Sequence, residues 1–328
     1  MKKLVSLLLS FVLLAALGCG CAAPDKERIT PVDFTWDPHV YNGYLTEHLG
    51  AELTEKYHTW VDAILAGEER LPCEDWDELD ALIGALRTTF PPFTELVGDY
   101  TLEDGELRLT YDRTPEERQA LVEEFGRAVE EWIETSVVEG DTPLMAALSL
   151  YHDYSLYVTY IDEGMEDNYE GDLSAWNGIM EGEGICQTFA AAYAYLAMQA
   201  GLDCLVAGGL DDGNDQAHDW TVFRLGDKDF FADPTFENGW GGMGLLFFGM
   251  TADERADDGY PLEKVSVGWN LAQGSDLDLT DPRFAPFRNA VQMVELCRPG
   301  ENMEVVCLDE LGEEFTVVIT PEDQVLVQ

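Results

Sequence analysis

The chain has 328 residues, 46% hydrophobic and 11% aromatic, which suffices for a real core in one large domain or two smaller ones and is far from a disordered composition. Its 65 acidic residues against 18 basic ones give a formal net charge of −47, a surface that repels phosphate backbones and argues against nucleic-acid binding. The same charge suits solubility in a harsh extracellular medium and, more sharply, attraction for cationic peptides or polyamines.

Lys2 and Lys3 precede a mostly apolar run, Leu4 to Leu17, which is too short to span a membrane comfortably and reads as the core of a secretory signal. Gly18-Cys19 and Gly20-Cys21 follow. Small residues just before a cysteine resemble the lipobox of bacterial lipoproteins, in which the cysteine becomes the lipidated N-terminus, and Ala16-Leu17-Gly18-Cys19 fits that pattern slightly better than the second pair. The resemblance implies export, with a leader over 1–19, lipidation at Cys19 (or Cys21), and a lipid anchor on the outer face of a bacterial membrane. Residues 20–35 read as a tether.

Residues 36–140 read as a mainly helical N-terminal region. Tyr44 to Leu65 is helical and ends near Gly67, and Asp75 to Leu86 is a second helix. A strand pair follows, Leu96–Leu102 and Leu107–Tyr111, turning at Glu103-Asp104-Gly105-Glu106. Thr114-Pro115-Glu116-Glu117 then opens a long helix to about Val138, with a threonine cap, a proline at the first position and a glutamate three residues on from the cap. His39, His48 and His58 fall in this region or its approach.

Residues 141–289 carry the core. A helix starts after Asp141-Thr142-Pro143 and runs through His152. Asp162 to Asp172 is an acidic loop whose spacing matches no calcium-binding EF-hand. Gln187–Ala200 is an apolar helix with almost no charged face, hence buried, and Gly201 ends it. Asp203–Gly208 is a strand, Asp211–Gln216 a polar loop, and His218 to Phe236 two strands around a Gly226-Asp227 turn. Residues 290–328 show three alternating runs, Val291–Leu296, Met303–Leu308 and Phe315–Ile319, a small β-meander. A two-residue turn at Pro299-Gly300 places Cys297 opposite Asn302 and too far out of register with Cys307 for a disulfide.

Besides Cys19 and Cys21 the chain has Cys73, Cys186, Cys204, Cys297 and Cys307. No CxxC pair occurs, so neither a zinc ribbon nor a thioredoxin motif is supported, and an odd count outside the cell leaves at least one thiol free. Cys186 sits in the first turn of the apolar helix, where unpaired amides and the helix dipole favour a thiolate. Gly182 and Gly184 clear its approach. A nucleophilic thiol needs a base, and the base an orienting group. With a two-residue loop, Leu225 faces Lys228, Trp220 faces Asp233, and His218 and Asp233 share a face as diagonal neighbours. A three-residue loop would break that parity. Metal use of Cys186, His218 and Asp233 lacks a fourth ligand, so no metal and no cofactor is expected.

"GICQTFA", "HDW" and "DPTF", in that order, resemble the three motifs of the transglutaminase-like superfamily. The resemblance extends to "YHDY", "SAWNGIMEGEGICQ" and "FGMTADERADDGY", over roughly 147–260. It implies an α+β fold with a papain-like core, in which Cys186 is the nucleophile, His218 the base and Asp233, on the strand after the histidine, the orienter. Members often carry a small residue after the histidine; here Asp219 stands there, pointing away from the His218 face by alternation. The Cys186 amide can serve as one oxyanion donor, with Gln187 and Trp176 as candidates for another. The implied chemistry is acyl transfer at an amide through a thioester, with peptidase or amidase hydrolysis favoured over transamidation, on a peptide or protein substrate that the charge would prefer cationic. The rival reading is a non-catalytic surface binding protein that keeps the fold, or a structural lipoprotein of the cell wall.

Overall fold

The computed structural model describes residues 30–161, 175–213, 215–268 and 272–328. The leader, Cys19, Cys21 and the acidic stretch Asp162–Asp172 lie outside these.

The chain folds as α+β. In the N-terminal region, helix Gly43–Ala66 is capped by Asn42, whose side chain accepts from the Leu45 amide, and it ends on Gly67 in the left-handed region at φ 75°. Helix Trp76–Thr89 follows, capped by Asp75. Strand β1 (Arg70–Pro72) joins β2 (Asp99–Glu103) and β3 (Glu106–Thr110) in a three-stranded sheet in the order β1-β3-β2. The β2–β3 turn is the expected one. The first strand is shorter than expected because Pro92–Leu96 forms a helical turn instead. A separate cluster that includes Tyr57, Trp60, Leu82, Leu86 and Phe90 fills this region.

Helix Pro115–Ser136 opens with a full capping box between Thr114 and Glu117. Helix Pro143–Tyr157 opens on Thr142 in the same manner, without the return bond. Both pack around the cysteine helix, Cys186–Gln199, which carries no charged side chain and is buried from Thr188 to Gln199. Five alanines give it high intrinsic propensity, and burying Phe189 or Leu196 contributes about 1.5–3 kcal/mol each. It stops in a Schellman turn: Gly201, at φ 88°, donates to the Met198 carbonyl and Leu202 donates to Ala197.

That turn feeds the main sheet, six antiparallel strands in the order β11-β10-β6-β7-β8-β9. These are β6 (Cys204–Leu210), β7 (Ala217–Leu225), β8 (Lys228–Ala232), β9 (Phe248–Met250), β10 (Val265–Val267) and β11 (Ala272–Gln273). Period-two alternation splits the sheet cleanly. Cys204, Val206, Phe223, Phe230 and Ala232 share a core with the cysteine helix. Leu205, Ala207, Trp220, Val222 and Phe231 form the opposite face.

The β7–β8 loop is two residues. Leu225 faces Lys228, and the pairing runs unbroken to Thr221 facing Ala232. Gly226 takes φ 63°, the positive value that the first residue of a II′ hairpin turn requires.

The tail differs from its expected turn. Strands β12 (Gln292–Cys297), β13 (Met303–Leu308), β14 (Glu314–Ile319) and β15 (Val325–Val327) form a four-stranded meander, the last strand being additional to the three expected. Cys297 faces Glu304, not Asn302, because the connection is longer than two residues; a bulge between Met293 and Glu295 shifts the register again further along. Met293 faces Cys307, and neither Cys297 nor Cys307 is in a disulfide.

Candidate active site

Cys186 is the first residue of its helix. The N-cap, Ile185, is extended (φ −112°, ψ −175°) and makes no side-chain cap, so the helix start turns uncapped amides and the positive end of its dipole toward the thiol. The chain is steered into this position by a short parallel pair: Thr159 donates to the Gly182 carbonyl and Ile161 to Gly184, both at 2.9 Å. Gly184 is required there, since a Cβ would meet the buried Thr188 side chain 2.5–2.6 Å away. Cys186 itself is half-buried, whereas Cys73, Cys204 and Cys307 are buried.

His218 lies near the start of β7, 7% exposed, its ring stacked on Phe236 with centroids 4.6 Å apart. Its Nε2 is 2.7 Å from Asp233 Oδ2. Cys186 lies close enough to His218 to raise its pKa, and with Nε2 turned to Asp233 the ring nitrogen left for the thiol is Nδ1. Burial opposes the charged imidazolium, but the Asp233 carboxylate outweighs it with help from Cys186, and His218 is pushed up to about 9.

Asp233 does not sit within the strand, as the family resemblance implied. The ladder ends at Ala232, and Asp233 is the N-cap of the next helix, Pro234–Gly239. This explains the DPTF sequence physically: an aspartate cap, a proline at the first helical position, and two amides for the cap to hold. Oδ1 accepts from Thr235 N (3.0 Å) and Phe236 N (2.9 Å), which leaves Oδ2 for the histidine. The residue is 0% exposed. Burial alone would raise its carboxyl, but the charges of His218 and Arg255 together with these hydrogen bonds hold it below the ordinary value.

Three residues complete the support and were not assigned roles from sequence. Arg255, also 0% exposed, places Nη2 3.1 Å from Asp233 Oδ2. The Tyr151 hydroxyl donates to the Asp233 carbonyl oxygen at 3.0 Å and approaches Glu237 Oε2 at 3.2 Å. Burial pushes Glu237 up to about 7. Arg255 lies inside "FGMTADERADDGY", on helix Ala252–Asp257, whose Thr251–Glu254 capping box is a readable start signal. Nothing in the sequence says that its guanidinium turns inward.

The other expected site residues fall as follows. Gln187 follows Cys186 on the same helical turn and is half-buried. Trp176, on the short helix Ala175–Met180, stacks on Phe125 at 4.8 Å with the rings 12° from parallel. Asp219 pairs with Gly208 across the sheet, and its carboxylate occupies the space where a Cβ on Gly208 would be. Burial raises its pKa. Among the described residues, no group of three or more His, Cys, Asp or Glu is placed to hold a metal ion.

Fold and site thus define an α+β protein that brings a helix-start cysteine, a strand histidine and a helix-cap aspartate close together. Among solved structures, the chain is similar over part of its length to a TGase (15% identity, TM-score 0.27, 42% of this chain and 44% of that one). It is similar in the same partial way to Legionella pneumophila LapG in its calcium-bound form (15% identity, TM-score 0.25, 38% of this chain and 66% of that one). The chain therefore spans less than two thirds of either. No family model and no curated protein matches the sequence.

Proposed function

We propose that this protein is an extracytoplasmic, lipid-anchored enzyme of the transglutaminase-like kind that cleaves or transfers acyl groups at amide bonds through Cys186, His218 and Asp233. The observation that carries the reading is the contact of His218 Nε2 with Asp233 Oδ2 at 2.7 Å, with the thiol of Cys186 close enough to the same imidazole to act on its charge. That grouping matches a nucleophile, its base and the base's orienter.

The Cys186 thiolate attacks the amide carbonyl carbon. The oxygen that becomes negative is met by the Cys186 amide at the helix start, with Gln187 or Trp176 as candidates for a second donor. The imidazolium of His218 passes its proton to the leaving nitrogen, the C–N bond breaks, and the amine departs, leaving a thioester. Water then attacks the thioester, His218 takes its proton, and the C–S bond breaks to release the acid and restore the thiolate. An amine in place of water would give transamidation. Hydrolysis of a peptide or cell-wall amide is the favoured outcome, and the charge of −47 favours cationic segments near the scissile bond. A binding protein without catalysis would not need a half-buried thiol in this grouping.

The test is a screen of cationic and neutral peptides and cell-wall fragments with the wild type and Cys186→Ala. New amine and carboxylate termini should appear with the wild type alone. Absence of any thiol-dependent product, with the thiol no more reactive than an ordinary cysteine, would overturn the reading.

A further inference from the structure

We propose that Arg255 is a positioning residue of this site: its fixed positive charge holds Asp233 ionised in both protonation states of His218 and so sets the pH at which Cys186 becomes a thiolate. The inference rests on the catalytic reading above and adds a fourth residue to it.

Three observations carry it. First, Arg255 Nη2 and His218 Nε2 meet the same oxygen of Asp233, at 3.1 Å and 2.7 Å. The carboxylate is thus shared between a group that can lose its proton and one that cannot. When His218 is neutral, Asp233 would otherwise be a lone buried anion, which is costly. Second, the guanidinium is wholly enclosed by aromatic faces, 4.1 Å from the centroid of Trp220, 4.5 Å from Tyr260 and 4.8 Å from Phe236. Trp220, Phe236 and Tyr260 also surround the imidazole of His218, so one aromatic box fixes both cations. Third, among the described residues no N–H of Arg255 is directed at an acceptor as a hydrogen bond. Its contact with Asp233 is one of charge, held by stacking. Buried N–H groups left in this way are expensive, and an apolar side chain would fill the same space at no such cost. A purely structural role does not explain the charge.

The other groups around the pair are few. Asp258, at the end of the same helix, lies 3.6 Å from Arg255 Nη1 and is partly exposed. Tyr260 borders Arg255 and lies within electrostatic reach of Asp211, Asp233 and Cys186. Asp219 is close enough to His218 and Asp233 for their charges to act on it. Glu237 approaches Asp233 from the Tyr151 side. Arg288 pairs with Glu254 on the outer side of helix Ala252–Asp257 and, with Asp257, acts on Asp258.

Removing a positive charge raises the pKa of every nearby acid, so the thiolate should form at higher pH. The experiment is the rate of Cys186 alkylation by iodoacetamide as a function of pH, read by mass mapping on the intact folded protein. Arg255→Gln should move the rising limb upward, slowing alkylation about tenfold at a pH on that limb while the rates converge above the ordinary thiol range. Arg255→Lys restores the charge without the flat guanidinium and should return the limb to near its wild-type position even where it lowers the melting temperature. Asp258→Asn removes the opposing charge from an exposed position that does not threaten folding. It should shift the limb the other way, about twofold faster, the smaller size reflecting solvent screening. A folded Arg255→Gln with a limb that coincides with the wild type overturns the inference. If Arg255→Gln does not fold, Asp258→Asn decides, and an unmoved limb or an upward shift overturns it. His218→Ala separates the two claims. If it alters Cys186 reactivity while the Arg255 and Asp258 variants do not, only the role of Arg255 is lost. If it too leaves the thiol unchanged, the catalytic reading falls with it.

Discussion

The Tyr151 hydroxyl donates to the backbone carbonyl of Asp233 at 3.0 Å, so the residue that faces His218 is held from behind by helix Pro143–Tyr157. Asp233 is therefore fixed at every polar atom it offers: the carbonyl by Tyr151, one carboxylate oxygen by two amides, and the other by His218 and Arg255. A carboxylate so restrained can orient an imidazole without moving when the ring gains or loses a proton.

Thiol chemistry follows from the contrast between Cys186 and its counterparts. Burial pushes Cys73 upward, Cys204 well upward and Cys307 up to about 12. Among the described cysteines, Cys186 alone combines partial exposure, a helix start and a neighbouring imidazole. At about pH 6, iodoacetamide should label Cys186 at least tenfold faster than any of these three. His218→Ala should abolish most of that advantage and Asp233→Asn less of it, and unfolding should erase it. Equal labelling in the folded protein would remove the basis of the nucleophile assignment.

Stability should fall on the alkaline side. His218 sits at about 9 against an ordinary 6.5, so its contribution is complete below 6.5 and is lost as the pH rises through about 9. The gap corresponds to on the order of 3 kcal/mol. Glu237, raised to about 7 against 4.5, adds a decline that begins lower, as its buried carboxyl is forced to ionise. Melting temperature should drop between about pH 6.5 and pH 9, after a decline from about pH 4.5 to pH 7 that belongs to Glu237, and His218→Gln should flatten the upper part of the curve. A His218→Gln curve parallel to the wild type would show that the imidazole is not the titrating group.

Gly184→Ala should disturb the start of the cysteine helix. The new methyl meets Thr188, which is wholly buried, so the helix or its approach must shift. A loss of about 1–3 kcal/mol is expected, with slower Cys186 alkylation. Thr188→Ala leaves no hydrogen bond broken among the described residues, because that hydroxyl has no partner there, but it keeps the Cβ that lies 2.5 Å from the new methyl, so combining it with Gly184→Ala should recover only part of the stability. Denaturant unfolding of the single and double variants measures the coupling, and additive losses would disprove the clash.

Anchoring is tested independently of the site. A labelled fatty acid fed to producing cells should mark the wild type and leave the Cys19→Ala, Cys21→Ala double variant unmarked. Equal incorporation in both would sink the lipid-anchor proposal.

Much of the local geometry could be read from the sequence because each case had a short-range cause. The two-residue Gly226-Asp227 loop fixes the parity of β7 and β8, and parity brings His218 and Asp233 to one side. The Thr114 capping box and the Gly201 stop are likewise local. The tail shows the limit. The connection of β12 to β13 is longer than the Pro299-Gly300 pair suggests, and a bulge at Met293/Glu295 moves the far end of the ladder once more, a feature set by packing rather than by turn residues. Asp233 left the strand because a helix cap with two amides is a stronger local attractor than one more ladder position. Arg255 could not be found by pattern, because an arginine near the end of a short acidic helix reads as a surface charge. Only the meeting of three aromatic rings from separate elements encloses it.

The first described residues run as a strap along the far end of the cysteine helix. Trp36 Nε1 donates to the Tyr195 hydroxyl at 2.7 Å, and Asp37 exchanges backbone bonds with the Gln199 side chain. The thiol stands at the other end, and a helix of 14 residues spans about 21 Å. A chain moored to a lipid surface through its beginning would thus be gripped at the rear of the helix and would carry its nucleophile on the outward side.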